Sequence, residues 1–375
     1  MIKSFRMRAS VCEMQSFKEF AEEFSVGKGD LIITERFLYE DYIKPLSLDC
    51  DYLFYGDYRV GEPDEDFFDT AIALCAEMPH ITRVIGVGGG SIMDTAKLLS
   101  LKDIKSPLDV FGGKGPYARG KKCICVPTTC GTGSEMDGII AGEMKVMGKV
   151  GKGIDEATPD QAVLISELID KLPYRTFMFC SADALVHCME TSVSPNAHPF
   201  STVYGYEGIR IIVDRYIRIR ENGPEERYQY LADFLRASAY GGICLSYAPC
   251  GASHAMAHHF GSNYHVSHGE SNAMFVAPTF QFYARQNPEG SIKDMAQIIA
   301  KAAGVKMDTI EAFQYLSELL NDIVPMKRLK EYGISEPAFP GFAERVLETQ
   351  QRLLVQSYIT PIRKEHLIGI YRDMY

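Results

Sequence analysis

The stretch RVIGVGGGSIMDTAKLLSL (83–101) decides how this chain folds. Its first part, RVIGVGGG, is a short apolar run with β-branched residues, the signature of a buried strand. Gly88, Gly89 and Gly90 then turn the chain, and SIMDTAKLLSL (91–101) carries apolar residues at helical spacing. Glycines in such a turn let the backbone approach a phosphate, and the free N–H groups at the helix start favour an anion. The spacing departs from GxGxxG, so the run alone reads equally well as a structural tight turn.

The neighbouring segments repeat the alternation. DLIITE (30–35) and DYLFYGDY (51–58) are strand-like, FLYEDYIKPL (37–46) and DEDFFDTAIALCAEM (64–78) are helix-like, and KKCICVPTT (121–129) is a further apolar strand. Strand and helix in turn predict βαβ units, with a parallel sheet covered by helices on both faces. A second polar loop, VPTTCGTGSE (126–135), follows its strand directly, and the carboxyl ends of parallel strands are where such sheets bind ligands. Two loops of this kind predict a nucleotide crevice. Cys130 has no basic partner in the sequence and reads as a small loop residue rather than a nucleophile.

SELIDKLP (166–173) marks a boundary, and beyond Pro173 the pattern is helical almost throughout. Helices are expected over 177–192, 201–221, 224–247, 252–260, 270–285, 291–303, 308–323 and 342–357, with a last one from Lys364. The expected fold is an α/β dinucleotide-binding domain with a parallel sheet (1–172), followed by an all-α metal-binding, catalytic domain (173–375).

Within the helical half, GASHAMAHHFGSNYHVSHGESN (251–272) holds His254, His258, His259, His265 and His268, five of the nine histidines. His254 and His258 share one helix face at i and i+4, and His268 follows past Gly261 and Asn263, which can end that helix. Upstream, Asp183 and His187 in SADALVHCME are again i and i+4. One carboxylate with three imidazoles makes an N/O set for a borderline divalent ion, Fe²⁺ or Zn²⁺. Five side chains compete for four places. His259, His265, His198, His80 and His366 read as hydrogen-bonded or surface histidines.

Composition agrees with an ordinary globule of two domains. The 375 residues are 46% hydrophobic and 23% charged, with a net charge of −10 that leaves no basic footprint for nucleic acid or an anionic membrane. The N-terminus lacks the apolar core of a signal peptide, and no run reaches membrane-spanning length. Ten scattered cysteines without a CxxC pair suit reduced thiols and a cytoplasmic location.

Taken together, the motifs resemble those of the iron-dependent (group III) alcohol dehydrogenases. GGGSIMDTAK (88–97) is similar to that family's GGGSxxDxAK pyrophosphate loop, and VPTTCGTGSE (126–135) to its PTTxGTGSE segment. DALVH (183–187), HAMAHHFG (254–261) and HGESNA (268–273) resemble its three metal-site segments in order and spacing. Within the family, VGKGD (26–30), NYHVSHGE (263–270) and QQRLLV (350–355) resemble the 4-hydroxybutyrate dehydrogenases. The resemblance implies Asp183, His187, His254 and His268 as metal ligands, with His258 beside the nicotinamide, a position that makes it the candidate to relay the proton to solvent. It implies Gly88, Gly89, Gly90 and Ser91 at the pyrophosphate, Asp94 nearby, and Thr128, Thr129 and Thr132 lining the same crevice. It also implies Lys152 near the cofactor, and Glu35 at the end of its strand, where an acid binds ribose hydroxyls and favours NAD over NADP. His259 stands where the family commonly has proline, and Glu62-Pro63-Asp64 where it has Asn-Pro-Thr.

The implied reaction is reversible hydride transfer between NAD(H) and a small primary alcohol or aldehyde, 4-hydroxybutyrate and succinate semialdehyde in particular, in a cytoplasmic homo-oligomer. Rival readings are another alcohol or polyol dehydrogenase on the same scaffold (1,3-propanediol, butanol or glycerol), a metal-dependent cyclising synthase, a metal hydrolase, and a metal-stabilised binding protein. The hydrolase leaves the glycine loops without a purpose.

Overall fold

Residues 4–113 and 115–375 are described by the computed structural model; the first three residues of the expected 1–172 domain, and Lys114, lie outside them. Eight strands form in chain order: Ser10–Met14 (β1), Asp30–Thr34 (β2), Asp51–Phe54 (β3), Arg83–Gly88 (β4), Lys122–Pro127 (β5), Ile139–Met144 (β6), Gly148–Gly153 (β7) and Gln161–Ile165 (β8). Six of them make one sheet in the order β1-β8-β5-β4-β2-β3, every pairing parallel. β6 and β7 pair with each other as an antiparallel hairpin. The expected parallel sheet is present, and its topology adds a switch point. From β2 the chain steps outward to β3, then returns to the other side of β2 for β4 and continues to β5. Open parallel sheets bind ligands beyond the strand carboxyl ends at such a reversal.

Both faces of the sheet are covered, so its strands are apolar on both sides. Along β4 and β5, Val84, Cys123 and Cys125 pack against Phe68, Leu98 and Leu99 on one face. Ile85, Val87, Ile124 and Val126 pack against Phe17, Phe20 and Ile43 on the other. Each such aliphatic side chain contributes about 1.5–3 kcal/mol on full burial. The helix Gly90–Ser100 lies very close to β4, because a Cβ on Gly86 would stand 2.9 Å from that of Ala96.

The described residues separate into two compact units, Arg6–Lys171 and Leu172–Tyr375, the latter including Ser4 and Phe5. The Phe5 ring lies 4.9 Å from Tyr247 and 5.6 Å from His198, which ties it to the helical unit. In that unit the helix Tyr174–Val193 is buried nearly all round, flanked by Pro199–Asn222, Leu231–Leu245 and His268–Gln286. Two expected helices are interrupted. The 224–247 segment is a 3-10 turn, Pro224–Tyr230, followed by Leu231–Leu245, and 342–357 divides into Phe339–Thr349 and Gln351–Leu354. Tyr230 and Gln350 sit at φ −127 and −115, outside helical geometry. Among the described residues no helix is long and apolar enough to cross a membrane.

Candidate functional site

Three helices of the second unit build one cluster. Tyr174–Val193 presents Asp183 and His187 one turn apart on the same face. Ala252–Tyr264 carries His254 and ends at His265, whose φ of 54 is left-handed and reverses the chain. Ser267 then caps His268–Gln286, its hydroxyl accepting from the Glu270 N–H, so His268 opens that helix. Gly269 sets how closely the helices approach, since a Cβ there would stand 2.6 Å from the Phe179 carbonyl oxygen. A larger residue would push His268 away from Asp183.

Asp183, His187, His254 and His268 bring one ligand atom each to within 4.8 Å of all the others. His254 Nε2 is 3.2 Å from His187 Nε2. Asp183 Oδ1 lies 3.8, 3.7 and 3.6 Å from Nε2 of His187, His254 and His268. Ligand atoms about 2.1 Å from a tetrahedral ion stand roughly 3.4 Å apart, so these separations fit a Zn²⁺- or Fe²⁺-sized cation. The protonation pattern fits it as well. His254 donates its Nδ1–H to Glu190, 2.8 Å away, which leaves Nε2 as a bare electron pair facing the other donors. The Asn272 amide nitrogen donates to Asp183 Oδ1 at 2.7 Å and stands 3.1 Å from Nε2 of both His254 and His268. A partial positive charge is thus already drawn to this spot.

Glu190 and Asn272 were not singled out from the sequence. Glu190 follows Asp183 by seven and His187 by three, and Asn272 follows His268 by four, so helical spacing alone places both beside the ligands. Glu190 also accepts from the backbone N–H of Ser253 at 2.7 Å and of His254 at 3.3 Å. Burial pushes its carboxyl up to about 7, against the backbone donors that favour the ionised form.

His258 stands outside the set of four but beside it, its ring 5.8 Å from His254 and 5.3 Å from His268. The five histidines expected to be structural are engaged elsewhere. His198 caps a helix through the Phe200 N–H, His80 pairs with Asp51, and His366 accepts from the Arg363 N–H. His259 packs on Phe342, and His265 is the left-handed helix end.

In the first unit the expected cofactor residues collect at the switch point. Glu35 follows β2, Gly88 ends β4 and residues 89–91 follow it, and Thr128, Thr129 and Thr132 follow β5, three adjacent strands. Gly89 caps the helix Gly90–Ser100 and, being glycine, has no side chain to bond the helix's first N–H groups, an opening that suits an anion. A Cβ on Gly90 would lie 3.1 Å from the Thr132 methyl, so the two loops nearly touch. Burial raises the pKa of Glu35, with the Gly56 N–H as the opposing hydrogen bond. Lys152, on β7, brings its Nζ beside Gly113.

Asp94 is turned inward. It accepts from the Ser134 hydroxyl at 2.6 Å, the Ala141 N–H at 2.9 Å and Lys97 at 3.2 Å. The fully buried Lys97 also donates to Asp137 at 2.8 Å and to the Ile139 carbonyl at 2.9 Å. Burial alone would depress the Lys97 pKa, but Asp137 and Asp94 outweigh it and raise it. This ion network locks the glycine-turn helix to the 126–135 loop and the β6–β7 hairpin.

Comparison with known proteins places the chain in a family. The model of the iron-containing alcohol dehydrogenases matches residues 8–166, and that of the Fe-containing alcohol dehydrogenase C-terminal region matches 177–375. A 4-hydroxybutyrate dehydrogenase of Clostridium kluyveri is 39% identical over 375 residues, the whole of both chains. This chain belongs to the iron-containing alcohol dehydrogenase family. Another relative in it, long-chain-alcohol dehydrogenase 1 of Geobacillus thermodenitrificans, is 29% identical over 83% of this chain and 79% of its own. The family fold recurs in sulfoacetaldehyde reductase of Bifidobacterium kashiwanohense in complex with NAD⁺, with a TM-score of 0.83 at 19% identity over 100% of this chain and 99% of that one. It recurs also in a 1,3-propanediol oxidoreductase, with a TM-score of 0.81 at 19% identity over the whole of both chains. Membership makes the chain an oxidoreductase of the alcohol dehydrogenase type, which sets aside the hydrolase and binding-protein readings.

Proposed function

We propose that this enzyme interconverts 4-hydroxybutyrate and succinate semialdehyde with NAD⁺/NADH, using a divalent ion, Fe²⁺ in the native state, held by Asp183, His187, His254 and His268. The observation that carries the metal reading is the convergence of three imidazole nitrogens and one carboxylate oxygen at mutual distances suited to one cation. The substrate reading rests on the full-length 39% likeness to the Clostridium kluyveri enzyme. When bound, the ion supplies a Lewis acid that lowers the pKa of the alcohol oxygen, and nicotinamide C4 supplies the hydride acceptor. One hydride and one proton leave the alcohol for each aldehyde formed.

The chain's own residues bind, orient and move the proton. Gly88, Gly89, Gly90 and Ser91 receive the pyrophosphate, Thr128, Thr129 and Thr132 close the loop over it, and Asp94 braces that loop from beneath. Lys152 is a further cofactor contact, and Glu35 takes the ribose hydroxyls, where its carboxylate repels a 2′-phosphate and selects NAD. Glu190 orients His254, and His258 accepts the hydroxyl proton and passes it to solvent. Ten free cysteines fit a reducing, cytoplasmic location, and the assembly is read as a homo-oligomer, to be measured by sedimentation.

The test is NADH formation by metal-stripped, Fe²⁺-loaded and Zn²⁺-loaded protein on 4-hydroxybutyrate, 1-butanol, 1,3-propanediol and glycerol. Metal-dependent turnover with 4-hydroxybutyrate preferred is the expected result. Preference for a neutral alcohol would overturn the substrate, and turnover without metal would overturn the site.

A further inference from the structure

With Glu35 at the ribose hydroxyls, the groups around it decide how a 2′-phosphate is received. β2 and β3 are neighbours, with Thr34 opposite Phe54, so the residues that follow them leave the sheet side by side. After β3 the chain makes a 3-10 turn, Tyr55–Asp57, and this turn gathers the residues that follow β2. The Gly56 N–H donates to the Glu35 carboxylate, and a Cβ on Gly56 would stand 2.8 Å from Glu35 Oε2. Arg36, the next residue, lays its guanidinium over the Phe54 ring, 4.3 Å from the centroid. Its Nε donates to Asp57 Oδ1 at 2.6 Å and its Nη2 to Asp57 Oδ2 at 2.5 Å, the forked pairing of guanidinium with carboxylate. The Tyr55 hydroxyl donates to the Gly61 carbonyl at 2.8 Å and meets the hydroxyl of Ser91, on the glycine-turn helix.

Resting on the reading that Glu35 holds the ribose, we propose that Asp57 is a second determinant of NAD over NADP: it occupies the Arg36 guanidinium in a bidentate pair and so denies that cation to a 2′-phosphate. An arginine near the ribose acid is the group that accommodates a 2′-phosphate in dinucleotide-binding folds. Here that arginine is present, and its charge is cancelled within the adjoining turn. Two carboxylates, Glu35 and Asp57, against one guanidinium leave this corner with one net negative charge. A phosphate monoester brings roughly −1.5 to −2 more and is repelled. Asp57 is a positioning residue in this scheme, acting through Arg36.

A second arginine nearby is occupied in the same way. Arg59 Nη1 lies 2.7 Å from Asp64 Oδ2, and its Nε donates to the Glu62 carbonyl at 2.7 Å. Asp64 stands where the resembled family has threonine, so this departure supplies the acid that holds Arg59. The charges of Glu35, Arg59 and Asp64 all act on the Tyr55 hydroxyl, which places them in one neighbourhood. Asp57 is close enough to Glu35 for its charge to add to burial in raising that carboxyl's pKa. The Arg36 side chain is 63% exposed and that of Asp57 32%, so their pairing contributes little to the fold and can be broken without unfolding it.

The test compares wild-type, Asp57→Asn, Asp57→Asn/Arg36→Met and Glu35→Gln proteins. Calorimetry measures binding of adenosine 2′,5′-bisphosphate and of 5′-AMP, which differ only in the 2′-phosphate and require neither metal nor turnover. In Asp57→Asn the ratio of affinities should move toward the bisphosphate by about 10-fold, the gain of one charge-assisted hydrogen bond. The double variant should lose that gain, because the released guanidinium makes it and not the deleted acid. With the metal-loaded enzyme, the gain should appear in the KM for NADP⁺ rather than in kcat. An unchanged ratio in Asp57→Asn, or a gain that survives in the double variant, overturns the proposal. Glu35→Gln tests the reading beneath it: an unchanged ratio in that variant removes Glu35 from the ribose, a different result in a different protein.

Discussion

Replacing Glu190 by glutamine separates the ligands from what aims them. Glu190 is fully buried and accepts the His254 Nδ1–H at 2.8 Å and the Ser253 N–H at 2.7 Å. Glutamine has the same shape but only one accepting oxygen, so its NH₂ must face one of these donors. One charge-assisted hydrogen bond is lost, about 1.5–3 kcal/mol, and the imidazole loses both its fixed tautomer and some basicity at Nε2. Carried into metal binding, that is roughly 10–100-fold weaker affinity, about 1.4–2.7 kcal/mol. Competition against a chromophoric chelator, with circular dichroism to check the fold, reads this directly. A folded Glu190→Gln protein that binds metal as tightly as the wild type would refute the claim that Glu190 orients His254.

Three further perturbations test separate parts of the molecule. Glu135 is wholly buried, and burial raises its pKa from 4.5 to about 7. The folded protein therefore keeps a proton that the unfolded chain releases between those values, so stability falls as pH rises through that window, by roughly 3 kcal/mol in all. Glu135→Gln should remove this slope and melt higher than the wild type at pH 8; equal melting temperatures there would refute the burial argument. Lys97→Met strands Asp94 and Asp137 without their buried partner and should cost about 3–5 kcal/mol in denaturant unfolding; an unchanged midpoint would show the network to be without weight. His258→Ala should lower kcat about 100-fold, partly restored by added imidazole, and unchanged turnover would remove the proton relay.

The cluster was legible in the sequence because helices convert spacing into position. Asp183 and His187 share a face by local geometry alone, whereas the helix of His254 runs through Gly261 and Asn263, expected to end it, and the turn that brings in His268 falls at His265. The same rule reaches Glu190 and Asn272, but a glutamate in a buried helix and an asparagine after a histidine have no chemical signature until a partner is seen. The strands were legible where burial on both faces makes a continuous apolar run, as in β4 and β5. β1 was not: SVCEM is a half-exposed edge strand whose partner, β8, lies some 150 residues along the chain. The β6–β7 hairpin escaped for another reason, since GKVGKG is poor in strand-forming residues and is held by pairing rather than by propensity. Asp94 shows the limit of motif reading. The resemblance places it near the cofactor, and the structure adds that its carboxylate is held by Lys97 and Ser134. Lys97 is a local i,i+3 neighbour, but Ser134 and the Ala141 N–H are tertiary partners absent from any local pattern, and they help decide which way the side chain points.

The most direct measurement is anomalous diffraction at the iron edge from crystals of the protein reloaded with Fe²⁺. One peak, bonded at about 2.1 Å to Asp183 and to Nε2 of His187, His254 and His268, is the expected result. A peak held by other side chains, or none at these four under saturating iron, would contradict the assignment on which the chemistry depends.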